Sequence, residues 1–480
     1  MTKNDENSPV IVWFRQDLRL TDNPALDAAA KCGAPILPLY VLDDENAGEK
    51  AMGGASRWWL HNSLDALDQS LQGRLVLRQG DAAKILPELA EQIGATRVYW
   101  NRCYEPWRIA RDTGIKKALR EMDISVRSFN GSLLFEPTDV LKDDGTPYKV
   151  FTPFYRNGCL GSATAPRKPL QTPADLNLFD GCSGDSLDEL GLLPDIPWYE
   201  EMATLWKPGE AGAEQRLRQF LENGIDDYKE GRNRPDLKKV SRLSPHLHFG
   251  EISPNQAWYA ASANGSEKSQ DLEHFLSELG WREFSYNLLY HFPELPRENL
   301  QHKFNRFPWQ DDSKALRCWQ RAETGVPIVD AGMRELWRTG YMHNRVRMIV
   351  GSFLVKNLLI DWRHGEAWFW DTLLDADLAN NSAGWQWIAG CGADAAPYFR
   401  IFNPVLQGKK FDPNGDYVRQ YVPELAELPD KFLHNPWEAP ADVLKEAGIE
   451  LGDDYPQPIV DLKESRERAL AAFTELKGAA

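Results

Sequence analysis

Two stretches of the chain place residues able to hold a flat, polar-edged ring at helical spacing. Across 272–289, Leu272, Phe275, Leu276, Leu279 and Leu288 fall close to one face, while Glu278, Trp281, Arg282 and Ser285 follow at steps of three and four along another. A carboxylate, an indole and a guanidinium therefore share one strip. Such a strip can line a ligand site, or it can be a solvated edge with Trp281 closing the core. In MHNRVRMIVGSFLVKNLL the apolar face is Val346, Ile349, Val350, Phe353 and Leu354, and Asn344, Arg347, Met348 and Gly351 form a second, mixed strip. A solvated helix face more usually carries Glu, Lys and Gln, so the pair of strips suits the walls of a cavity.

DADLANNSAGWQW adds Asp375, Asp377, Asn380 and Asn381 just before Trp385 and Trp387. Its carboxylates can accept from ring N–H groups or pair with Arg347, which would hold them ionised. An Asp-x-Asp also suits a divalent cation, but no third hard ligand stands at a suitable spacing. In KKVSRLSPHLHFGEISP, Ser244 and Pro245 are expected as helix cap and first turn, leaving backbone amides for a phosphate. His246 and His248 there read as packed or hydrogen-bonded side chains, not metal ligands.

Around these residues the chain divides by pattern. VIVWF, ILPLYVLD, RLVLRQGD and RVYWN read as strands, alternating with helical stretches such as SRWWLHNSLDALDQSL and AAKILPELAEQIG. The expectation is an α/β, doubly wound parallel-sheet N-terminal domain over 9–135, with a helix starting at Asp22 and Asn23 and Pro24 in its first turn. No GxGxxG follows a strand, so a dinucleotide is not indicated there. Residues 136–205 are rich in Pro, Gly and turn formers and read as an interdomain linker. Helical periods dominate 206–475, so the C-terminal domain is expected to be all-α.

Composition bounds the function. The chain has 480 residues, 42% hydrophobic and 26% charged, within the globular range. Tryptophan is concentrated, with nine of 18 between residues 281 and 387, more than core packing requires. Net charge is −16, which opposes nucleic-acid binding by the whole surface, yet Trp281–Arg419 holds 17 Lys and Arg against 16 Asp and Glu. A neutral face on an acidic body results. The N-terminus lacks an apolar leader core, no run is long enough to span a bilayer, and the six cysteines form no CxxC pair. A cytoplasmic monomer without membrane attachment or bound metal is expected.

The blocks VWFRQDLRLTDNPAL, YKVFTPF, SRLSPHLHFGEIS, ELGWREF, GYMHNRVRM, DWRHGEAWFWDTLLDADLA, GWQW and DAAPYFRIFNP, in that order, resemble the photolyase and cryptochrome flavoprotein family. The resemblance runs from about residue 9 to the C-terminal helix and implies a helical domain that binds FAD. It assigns FAD to Tyr228, Ser241, Arg242, Leu243, Ser244, Arg282, Asn344, Arg347, Asp375, Ala376, Asp377 and Asn381. The residue facing flavin N5 is Asn381 by its distance from Trp385, although NNSAG, where some relatives have NNGG, leaves Asn380 as the alternative. Trp385, Trp362 and Trp309 match a tryptophan chain for photoreduction. Glu278, Trp281, Asn344, Met348 and Trp387 match members that repair cyclobutane pyrimidine dimers, and Arg232, Arg345 and Arg400 match positions that touch DNA phosphates. The implied activity is that of a deoxyribodipyrimidine photo-lyase on ultraviolet-damaged DNA, with reduced FAD as electron donor. Cryptochrome-type signalling is the rival, and repair of the (6-4) photoproduct is disfavoured because Asn344 stands where those enzymes have a His. The antenna chromophore is left open between methenyltetrahydrofolate, a deazaflavin and none, because YEPWRIARD carries Trp107 and Arg108 where folate-binding relatives have an Asn-Glu pair.

Overall fold

Every residue of β1 (Val10–Phe14) and β2 (Ile36–Leu42) is buried, as uninterrupted apolar runs require when both faces of a sheet are covered. With β3 (Val76–Gln79), β4 (Arg97–Asn101) and β5 (Ser125–Phe129) they form a five-stranded parallel sheet of order β3-β2-β1-β4-β5. The crossovers include α1 (Pro24–Ala30), α2 (Gly54–Ser70), α3 (Ala82–Ile93) and α4 (Pro106–Glu121). Asn23 caps α1 by accepting from the Leu26 amide at 3.1 Å, Pro24 fills the first turn, and Gly94 ends α3 in the left-handed conformation.

The computed structural model describes residues 8–264, 269–394 and 400–478 and separates them into two units. The first comprises the chain up to Glu222 with Ser241–Pro293 and Asp375–Asp377, and the second comprises Asn223–Val240, Glu294–Leu374 and the chain from Leu378 onward. In the first, strand order reverses between β1 and β4, where doubly wound sheets usually bind ligands. Here side chains occupy that point. Asn101 donates to Asp17 Oδ2 at 2.6 Å and to Asn23 Oδ1 at 2.8 Å, and Arg15 pairs with Asp112. The helices that follow include α5 (Ser244–Phe249) and α6 (Gln270–His291).

The second unit is helical. Its elements include α7 (Pro327–Thr339), α8 (Asn344–Ser352), α9 (Trp362–Thr372), α10 (Leu378–Ala389) and α11 (Leu462–Gly478). The apolar face expected on α8 is buried as a whole, but the helix does not run on regularly: Phe353–Asn357 form a π-helical turn. Buried Asp330 on α7 accepts from the amides of Thr324 and Gly325, the Thr324 hydroxyl and, at 2.6 Å, the Tyr455 hydroxyl, tying the C-terminal segment to the bundle. Among the described residues no helix is long and apolar enough to cross a membrane.

Gly250 ends α5 with φ +67°, and a Cβ there would lie 2.1 Å from the Gln16 carbonyl oxygen. The same turn accepts from the Leu18 amide through Phe249 and from the Arg19 guanidinium through its own carbonyl. Gly250→Ala is therefore expected to cost about 3 kcal/mol and lower Tm by roughly 3–5 °C in a calorimetric scan. An unchanged Tm would show that the turn relaxes without loss.

Candidate functional site

In the first unit the site residues ride on α6, and buried polar contacts hold that helix in place. Glu283 accepts from the amides of Leu134 at 2.9 Å and Phe135 at 3.1 Å, while Arg282 donates to the Ser132 carbonyl at 2.8 Å. Further along, His291 and Asn287 both reach the Pro137 carbonyl. Burial pushes the Glu283 carboxyl up to about 7 despite the opposing pull of Arg282 and the two amides. With that face committed, Glu278, Trp281 and Arg282 stay half-buried. The Trp281 indole is stacked on Phe151 with centroids 3.7 Å apart and planes 9° apart, and Phe151 is in turn stacked on Tyr155. One face of Trp281 is thus covered and its plane is set.

Asp377, Arg282, Tyr286 and His248 form a single cluster. The Tyr286 hydroxyl donates to Asp377 Oδ2, His248 Nδ1 lies 3.6 Å from the same oxygen, and the Arg282 guanidinium sits 4.8 Å over the Tyr286 ring. Burial by itself would raise the Asp377 pKa, but His248, Arg282 and the Tyr286 hydroxyl together bring it down to about 2. Asp375 and Ala376 are buried beside it in sequence. His246 makes its hydrogen bond to Glu251, so both histidines have carboxylate partners.

The expected cap at Ser244 is corrected. Ser244 is the first helical residue of α5, Leu243 occupies the cap position, and no side chain caps the helix. The reason lies in the preceding residue: Arg242 adopts φ +53°, which turns the chain into the helix one residue earlier than the Ser-Pro pair suggests. Leu243 is buried, Ser241 and Arg242 are half-buried, and Ser244 is exposed.

In the second unit the Asn381 amide nitrogen donates to the Glu366 backbone carbonyl at 3.0 Å. A carbonyl can only accept, so the nitrogen must face Glu366 and the Asn381 oxygen points elsewhere as an acceptor. Trp385 packs against Phe369 at 5.0 Å and Trp319 at 6.2 Å. Gly365 permits this approach, since a Cβ there would lie 2.1 Å from the indole. Trp362, one turn earlier on α9, donates its indole N–H to Asn299 Oδ1 at 2.9 Å, and half-buried Trp309 lies 4.5 Å from Phe307. On α8, exposed Asn344 opens the helix after the cap at His343, and Arg347 donates to the Met342 carbonyl at 2.7 Å. Gly351 of the expected cavity strip instead packs on α10, where a Cβ would meet Ile388 at 2.9 Å.

The arginines on this unit also converge. Arg345 donates to Asn233, lies 4.4 Å over Phe411, and its pKa is lowered first by burial and then by the charges of Arg232 and Arg400. Three guanidiniums near enough to repel one another suit a polyanion. Met348 accepts from Arg345 at 3.8 Å, Tyr228 is buried under Arg232, and Trp387 is half-buried. Arg400 is described, but residues 395–399 of the DAAPYFRIFNP block lie outside the described residues.

Sequence profiles place these residues in context. The profile for the DNA photolyase domain matches residues 10–174, and that for the FAD binding domain of DNA photolyase matches residues 275–475. The chain belongs to the DNA photolyase family. It is 51% identical to a deoxyribodipyrimidine photo-lyase of Agrobacterium fabrum, covering 98% of this chain and 99% of that one. It is 40% identical to cryptochrome-1 of Arabidopsis thaliana over 97% of this chain and 70% of that protein. Among solved structures, a class III photolyase from Agrobacterium tumefaciens superposes with TM-score 0.94 at 51% identity, covering 98% of each chain.

The donor and acceptor set fits the flavin that a photolyase FAD domain implies. In the first unit Asp377 is held as an anion able to accept from ring N–H groups and Arg282 is a half-buried cation, and in the second unit Asn381 offers an oxygen. Motif reading named His248 as a hydrogen-bonded side chain but missed the other residues that set up these groups: Tyr286, Phe151, Glu366, Gly365 and Trp319. Only Tyr286, four residues after Arg282, carried a spacing signal.

Asp377 and Glu283 act in separate pH windows. The Asp377 pKa falls on folding from 3.8 to about 2, so its contribution of about 2 kcal/mol is present above pH 3.8 and is lost as pH falls toward 2. Glu283 rises from 4.5 to about 7 and erodes stability as pH climbs through that interval. Tyr286→Phe removes a donor to Asp377, so its acid unfolding midpoint by circular dichroism should move to higher pH. A midpoint matching the parent would show that Tyr286 does not hold the carboxylate.

Proposed function

We propose that this protein repairs cyclobutane pyrimidine dimers in ultraviolet-damaged DNA, using light and reduced FAD. The observation that carries the reading is Trp281, held flat on Phe151 and half-exposed beside Glu278, as a platform for stacking extruded bases requires. The residues that would hold FAD are Tyr228, Ser241, Arg242, Leu243, Ser244, Arg282, Asn344, Arg347, Asp375, Ala376, Asp377 and Asn381. When bound and reduced, FAD supplies a photoexcitable electron that splits the dimer and then returns, leaving no net redox change.

The chain's own groups do the rest. The Asn381 oxygen accepts from N5–H, which only the reduced flavin carries, and so favours that form. Glu278 hydrogen-bonds a pyrimidine edge, while Asn344, Met348 and Trp387 complete the contact with the lesion. Arg232, Arg345 and Arg400 take DNA phosphates, which position the duplex without reading its sequence. Trp385, Trp362 and Trp309 form the path for photoreduction of oxidised flavin. In domain terms, 9–135 is the antenna domain, 136–205 the linker and 206–475 the FAD- and DNA-binding domain of a cytoplasmic monomer.

An antenna chromophore, a folate or deazaflavin, would use the cleft lined by Arg15, Tyr40, Asp43, Trp107 and Arg108 at the strand ends. Its cavity volume is about 50 Å³. Drug-sized ligands fill sites of roughly 300–1,000 Å³, so binding there requires Trp107 and neighbouring side chains to move.

Reduced protein mixed with a thymine-dimer oligonucleotide should restore thymine absorbance under blue light and not in darkness, and Trp281→Ala should weaken binding to that DNA about 10- to 100-fold. Absent restoration would favour a signalling flavoprotein, and restoration in darkness would overturn the light-driven step. Trp309→Phe should slow photoreduction of oxidised flavin while sparing repair by protein reduced beforehand, and equal photoreduction rates would remove Trp309 from the path.

A further inference from the structure

Two neighbouring residues of α10 converge on one residue of α9. Asn381 donates its amide to the backbone carbonyl of Glu366, and Ser382 donates its hydroxyl to the carboxylate of the same Glu366 at 2.5 Å. All three are buried, with Ser382 at 0% and Glu366 at 4% exposure. A serine inside a helix ordinarily turns its hydroxyl back to the carbonyl four residues earlier. This one reaches across to another helix instead, and it supplies a donor to a carboxylate that would be costly to bury without one.

We propose that Ser382 is a positioning residue for the flavin: through Glu366 it locks the rotation and register of α10 so that Asn381 presents its oxygen, and not its amide nitrogen, to flavin N5. The proposal rests on the reading of Asn381 as the residue at N5. The single bond from the Asn381 amide sets which end of the side chain faces Glu366 but does not hold the turn of α10 that carries it. The second bond, one residue along, fixes the backbone from which Asn381 projects. An oxygen held at N5 accepts from the reduced flavin, whereas the oxidised ring has a lone pair there and is repelled. Ser382 therefore acts on the balance between oxidised and reduced flavin without touching the ring.

The test is the midpoint potential of bound FAD, measured by dithionite titration of the full chain in the dark. Ser382→Ala should shift the equilibrium toward the oxidised form about tenfold, which is about 30 mV for a two-electron couple. Ser382→Thr keeps the hydroxyl and should restore the parent potential. Asn381→Ala should shift the potential at least as far, and adding Ser382→Ala to it should produce no further change, because the two residues act in one chain. If Ser382→Ala fails to fold, Ser382→Cys, a weaker donor, should give an intermediate shift. A parent-like potential in Ser382→Ala or Ser382→Cys, or additive shifts in the double variant, overturns the proposal while Asn381→Ala still reports on N5. A silent Asn381→Ala, or a parent chain that takes up no FAD, overturns the flavin reading as well.

Discussion

The first unit depends on a buried carboxylate. Glu283 is buried inside α6, and that burial pushes its pKa up to about 7 even against the pull of Arg282 and two backbone amides. The amides of Leu134 and Phe135 and the guanidinium of Arg282 offset the cost, and in doing so they bolt the helix to the segment that leaves the sheet. Apolar packing tolerates small slides, whereas a carboxylate shared by two backbone amides does not. The orientation of Glu278, Trp281 and Arg282 follows from that attachment.

The same device recurs. Asn101, Asp17 and Asn23 close the switch point of the sheet, Asp330 collects four donors from two segments, and Glu366 receives both Asn381 and Ser382. Each buried polar group is costly alone and directional when paired. Hydrophobic burial supplies most of the folding energy, while these pairs select one arrangement of helices. A photolyase needs that selectivity, because acceptors and indoles misplaced by an ångström lose their partners.

Much of the fold was legible. β1 and β2 are unbroken apolar runs, RVYWN is β4 residue for residue, and Asn23-Pro24 and Gly94 mark helix ends by local chemistry. β5 was not foreseen, because an edge strand pairs on one side only and SVRSF carries polar residues at most positions. Ser244 looked like a cap, yet the left-handed Arg242 before it reset the entry to α5. The mixed strips of α6 and α8 were also visible, although Gly351 turned out to serve packing against Ile388.

From residue order alone came the alternation of strands and helices, the aromatic concentration, and the list of groups suited to a flavin and a damaged base, since periodicity and side-chain chemistry are local properties. Tertiary structure decided how those groups are held: which end of the Asn381 amide is on offer, why Asp377 stays ionised, and which face of Trp281 is covered. These depend on Glu366, Tyr286, His248 and Phe151, all four of them more than ten residues away along the chain. A hydrogen bond or a ring stack between distant segments leaves no period in the sequence, so only the folded chain could reveal it.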